Sequence, residues 1–193
     1  METLNLSGSS PREEGRIKSL FWPSVRTGAD VDYLAVQGFW LCTLLATLSL
    51  WFLIMGGQPV VAFLIFIVLH FGGIGVREHS PFAAGLVLVF YMLDTLASIK
   101  MAMPTPGGLI FRTIFTALLL SNLRATWIAA AWRPESEEAV LPPRMGDTLA
   151  DKFSDRWPAW IWPKVKIIYF IFAFVMLVLT TAGLIVMAMK GAR

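Results

Sequence analysis

Five runs of this chain are apolar over close to the ~20 residues that an α-helix, rising about 1.5 Å per residue, needs to cross the hydrocarbon core of a bilayer. They fall at 34–55, 59–76, 82–101, 108–131 and 166–189. Between residues 33 and 132 the only charged groups are Arg77, Glu78, Asp94, Lys100, Arg112 and Arg124. Across the chain, 56% of residues are hydrophobic and 15% charged, where a soluble domain carries about 25% charge. The reading is an all-α polytopic transmembrane helix bundle of about five spans. The second span is the weakest, being short and interrupted by Gly72, Gly73 and Gly75.

The connections are short and carry strong breakers: Gly56, Gly57 and Pro59, then Ser80 and Pro81, then Pro104, Pro106, Gly107 and Gly108. Such turns predict tight helical hairpins with no room for a soluble domain. Four units follow: a polar N-terminal tail with an interfacial segment (1–32), a four-helix transmembrane core (33–132), a loop (133–165), and a fifth helix with a short C-terminus (166–193). The first 20 residues are polar, so no cleavable signal peptide is expected.

Lys and Arg in the flanks set the expected orientation. Eleven of the sixteen lie in the N-terminal tail, at Arg77, and from Arg133 to Lys166. Three lie on the other side, at Lys100, Lys190 and Arg193, while Arg112 and Arg124 fall inside spans. This predicts a cytoplasmic N-terminus and loop, and an external C-terminus. Trp22, Trp132, Trp157, Trp160 and Trp162 flank the spans as expected interfacial anchors. Residues 153–166 read as a segment lying against the inner leaflet, with Pro158 and Pro163 preventing one continuous helix. The stretch from Arg133 to Arg156 reads as a solvated loop with one short helix near 147–155, begun by an Asp.

Several chemistries are excluded or disfavoured. The single Cys42 rules out an intramolecular disulfide and multi-cysteine metal sites. His70 and His79 are nine residues apart at different depths, which disfavours paired haem ligation. No nucleophile elbow, zinc-binding His pair, phosphate-cradling glycine loop or Mg²⁺-binding aspartate run is present. No catalytic role, metal or cofactor is expected. The net charge of +3 is explained by topology, so the expected partner is the lipid bilayer and not nucleic acid.

Two features inside the spans remain. Small residues recur at Thr113, Ala117, Ser121, Ala125 and Ala129, a stripe that lets a neighbouring helix approach closely. This makes 108–131 the expected centre of the bundle, with Gly38, Cys42 and Ala46 of the first span packing against it. Ionisable groups in a span cost ~2.5–3.5 kcal/mol at a helix centre, so each calls for a partner. Asp94 shares a face with Tyr91 and Ser98, and the next helix brings Arg112 to a similar depth. An Asp94–Arg112 ion pair is predicted, serving either to fix register or to line a transport path. Arg124 either snorkels to the headgroups beside Trp127 or Trp132, or turns inward to Asn122 and His70. His70 is expected as a neutral ring bonded to a hydroxyl or backbone group.

The Leu-Phe-Trp-Pro motif at 20–23, Tyr-Leu-Ala-x-Gln-Gly at 33–38 and Ser-Asn-Leu-Arg-Ala-Thr-Trp at 121–127 resemble small multi-pass membrane proteins of bacteria, a group with no known activity. The resemblance covers about a quarter of the chain and implies a bacterial cytoplasmic (inner) membrane. The expected role is that of a non-catalytic accessory or oligomer-forming subunit, in a homo-oligomer or a larger membrane complex. The alternative is a small oligomeric transporter or channel using Asp94, Arg112 and Arg124.

Overall fold

The computed structural model describes residues 15, 18, 21–101, 105–132, 144 and 148–191. Arg12, Arg16, Pro104, Arg133, the acidic and proline-rich stretch after it, Asp147 and Arg193 lie outside them. The described residues form helices and turns with no strand: α1 Gly28–Met55, α2 Pro59–Arg77, α3 Pro81–Met101, α4 Pro106–Ala130, a single turn Leu149–Asp151, a π-helical turn Lys152–Arg156, and α5 Trp157–Gly191. Five of these stretches are long and apolar enough to cross a membrane. This is the expected multi-pass helical architecture.

Local sequence explains where the helices start. Thr27 accepts from the Asp30 amide while Asp30 accepts from the Thr27 amide, a reciprocal cap on α1. Pro59 and Pro106 open α2 and α4, at positions whose missing N–H costs nothing. Two residues past the end of α2, His79 takes the left-handed region, φ 57°, after which Ser80 Oγ accepts from the Ala83 amide to start α3.

The fifth helix departs from expectation. It begins at Trp157, not 166, and runs through Pro163. Pro158 lies in the first turn, where no intrahelical acceptor is needed. Pro163 is flanked by Trp162, which is 8% exposed, packs on Tyr169 and Phe170 of the same helix, and reaches Gly75 of α2, where an added Cβ would lie 2.5 Å from its ring. Tertiary packing holds the helix across the missing hydrogen bond. Trp162 is therefore a core residue and not an interfacial anchor. Trp22, Trp157 and Trp160 are exposed and Trp132 is half-buried.

The centre of the bundle is α2 and not the small-residue stripe of α4. Half of the α2 span is buried, against 17% of that of α4. A Cβ at Gly73 would lie 2.6 Å from Cys42 Cβ, and one at Gly75 2.5 Å from the Trp162 ring. A Cβ at Gly72 would meet Val87 of α3 and the Tyr169 hydroxyl. Three glycines thus let α1, α3 and α5 close on one helix, the packing that hydrocarbon rewards. The glycines that make α2 look weak as a span make it the hub. Of the α4 stripe, Ser121 and Ala125 are buried, while Thr113 is exposed. The expected approach of Gly38 to α4 is present, with Asn122 Cγ 2.9 Å from where its Cβ would be.

Candidate functional site

Two charged clusters, one within the spans and one at the helix ends, hold the chemistry of this chain. In the first, Arg112 Nη1 lies 3.2 Å from Asp94 Oδ2. The same guanidinium donates to Thr95 Oγ1 at 3.1 Å and Ser98 Oγ at 3.0 Å, while Ser98 Oγ donates to the Asp94 carbonyl at 2.9 Å. Tyr91, one turn away, is buried. The Asp94 side chain is 43% exposed and that of Arg112 28%. The cluster satisfies itself along the α3–α4 seam yet keeps one edge open.

The second cluster is one that the sequence reading did not assemble. Arg77, the last residue of α2, is 1% exposed. Its Nη1 donates to Asp32 Oδ1 at 2.5 Å, its Nη2 to Asp155 Oδ1 at 2.7 Å, and its Nε to Asp155 Oδ1 at 3.2 Å and the Ser154 carbonyl at 3.1 Å. Arg144 joins from outside, with Nη1 2.5 Å from Glu78 Oε1 and 3.3 Å from the Asp155 carbonyl. One guanidinium therefore binds the N-terminal part of α1, at Asp32, and the π turn to the end of α2. Ser154 and Asp155 are buried, which corrects the expectation of a solvated loop there. The short helix begins on Thr148, whose hydroxyl accepts from the Asp151 amide at 3.1 Å.

Burial at this cluster sets the protonation of its neighbour. His79 Nε2 is buried without a hydrogen-bond partner. Desolvation, reinforced by the positive charge of Arg77, lowers its pKa to about 4. A neutral imidazole is thus held against the ion cluster. Arginine does not give up its proton, so Arg77 cannot act as an acid. The arrangement is suited to clamping chain segments together.

The remaining sequence candidates do not converge. Arg124 turns neither to Asn122 and His70 nor to Trp127 or Trp132. Its Nη1 donates to the Pro23 carbonyl at 2.8 Å and its guanidinium stacks 4.9 Å from the Trp22 ring centroid. Trp22 and Pro23 fold back onto α4 and offer a ring and a carbonyl, so the arginine is consumed there. His70 Nδ1 sits 3.3 Å from Thr43 Oγ1, and its ring stacks on Phe66 and Phe153. Phe153 reaches His70 from the same π turn that supplies Asp155. Asn122 is buried beside Gly38 with neither side-chain polar atom bonded.

The Arg77 cluster left a faint trace in sequence. Asp32 is an acid near the start of a span, and Asp155 is an acid among tryptophans, both at the end where Arg77 emerges. Their separation along the chain hid the link. Among the described residues no group of three His, Cys, Asp or Glu could hold a metal ion. The chain matches no protein-family model, and no curated protein or solved structure is significantly similar to it.

Proposed function

We propose that this chain is a non-catalytic, oligomer-forming subunit of a bacterial cytoplasmic membrane, with its N-terminus in the cytoplasm. The orientation is supported by Arg26, Arg77, Arg144, Lys152, Arg156, Lys164 and Lys166 lying at one end of the helices and, among the described residues, Lys100 and Lys190 at the other. The observation that carries the functional reading is the open edge of the Asp94–Arg112 pair. A carboxylate 43% exposed within an apolar span is costly against lipid, and a second copy of the chain covers that edge at the α3–α4 seam.

Counting subunits per complex in lipid vesicles by single-molecule photobleaching tests this. At least two copies are expected for the wild type, with a shift toward monomer in Asp94→Leu/Arg112→Leu. A wild type that is monomeric at all densities refutes the reading. The same exposure favours a second reading, a transporter or channel whose path passes Asp94 and Arg112. An oligomer that passes a solute, with flux lost in Asp94→Asn at unchanged assembly, would establish it in place of the first. Arg124 is not part of that path, since Pro23 and Trp22 hold it.

A further inference from the structure

The first turns of α5 present two unlike faces. One buries Trp162, Tyr169 and Ala173 against the bundle. The other carries Arg156, Trp160 and Lys164 at intervals of four residues, with Lys152 four residues earlier in the π turn, and all four are exposed. Continuing along this face, Ile167, Ile168 and Ile171 are each about two-thirds exposed. Lys166, roughly 120° from Trp160 at about 100° per residue, belongs to another face.

Among the described residues the cations on this face have no acidic partner. Arg77, Arg112 and Arg144 each hold a carboxylate, whereas among the described residues Lys152, Arg156 and Lys164 form no ion pair. The acids of the same segment are turned away: Asp155 is held by Arg77 and Asp151 accepts from the Thr148 amide. Lys164 Nζ stands 3.7 Å above the Trp160 ring, which lies 5.8 Å from the Trp157 ring. Aromatic rings and exposed cations gathered at the polar end of the span are the composition of a headgroup region, and the isoleucines one turn further along belong to the acyl layer.

We propose that this face binds anionic phospholipid, with Lys152, Arg156 and Lys164 meeting headgroup phosphates along roughly 18 Å of helix and the acyl chains lying along Ile167, Ile168 and Ile171. The apolar ridge continuous with the cations selects a lipid over a soluble phosphate, which would use only the upper half of the surface. Asp155 points into the bundle, where Arg77 holds it, and does not offset the charge of this face. The inference uses only the start of α5 and stands apart from the oligomeric reading.

The test is lipid retention by the purified full chain, measured by native mass spectrometry after incubation with phosphatidylglycerol or phosphatidylcholine. At about one kcal/mol per cation near the surface, a preference for phosphatidylglycerol of about tenfold or more is expected. Lys152→Gln/Arg156→Gln/Lys164→Gln is expected to bind the two lipids equally, and Lys152→Arg/Lys164→Arg to keep the preference. Lys100→Gln/Lys190→Gln at the other end is expected to keep it too. Equal retention by the wild type, or a preference unchanged in the triple Gln variant, overturns the proposal. Competition by soluble glycerol phosphate as strong as that by the lipid overturns the lipid as occupant.

Discussion

Replacing Arg77 by Gln is expected to destabilise the protein by about 3 kcal/mol, the lower end of the roughly 3–5 kcal/mol for breaking a buried ion pair from one side. The guanidinium is 1% exposed and makes four hydrogen bonds, to Asp32, twice to Asp155, and to the Ser154 carbonyl. Its removal strands two carboxylates whose side chains are 20% and 12% exposed. That residual access to water sets the lower figure. At about 2–4 °C per kcal/mol for a chain of this size, the midpoint of thermal unfolding in mild detergent falls by roughly 6–12 °C. Asp155→Asn in the Arg77→Gln background relieves part of the cost, because it removes a stranded charge. The double-mutant cycle therefore returns a coupling of about 1–3 kcal/mol. Proteolysis should report the same event locally, with the π turn Lys152–Arg156 becoming susceptible first. A loss below about 1 kcal/mol, or additivity of the two substitutions, would refute the clamp as a source of stability.

Two further outcomes follow from the same geometry. His79 is held near pKa 4 in the folded chain against an ordinary 6.5, so the unfolded chain takes up a proton first as pH falls. Its contribution is fully present above about pH 6.5 and is lost progressively as pH falls toward 4, the loss amounting to about 2 kcal/mol by pH 5. Thermal unfolding at pH 7 and pH 5 checks it, and His79→Asn, which tolerates the left-handed backbone, should flatten the dependence in that window. Gly75→Ala puts a methyl 2.5 Å from the Trp162 ring and should cost roughly 1–3 kcal/mol as α5 is pushed from α2. A midpoint unchanged in that variant would contradict α2 as the hub.

How much was legible in sequence depended on distance along the chain. The five spans follow from hydropathy alone, because a helix in hydrocarbon must satisfy its own backbone and needs about 20 apolar residues to do so. Pairing of Asp94 with Arg112 was legible because consecutive helices joined by a short turn are antiparallel neighbours, which brings residues 18 apart to one depth. The short helix near 147–155 and a hydroxyl partner for His70 were legible from local chemistry in the same way. Long-range choices were not. Nothing in local pattern shows that Asp155 returns across 78 residues to Arg77, or that Pro23 takes Arg124 from across 101.

Sequence by itself determined that this protein is a multi-pass helical membrane protein and which charges its spans contain. Tertiary structure decided which helix is central and where each arginine is satisfied. The physical reason is that hydropathy is a property of each segment against its solvent, whereas helix packing in lipid is decided by where small residues let two backbones meet. Gly72, Gly73 and Gly75 interrupt α2, the shortest of the five spans, and make it the most enclosed. Proline likewise has a fixed local cost, yet Trp162 packed beside Pro163 carries α5 through it. The buried Arg77 clamp exists only where three chain ends have already converged.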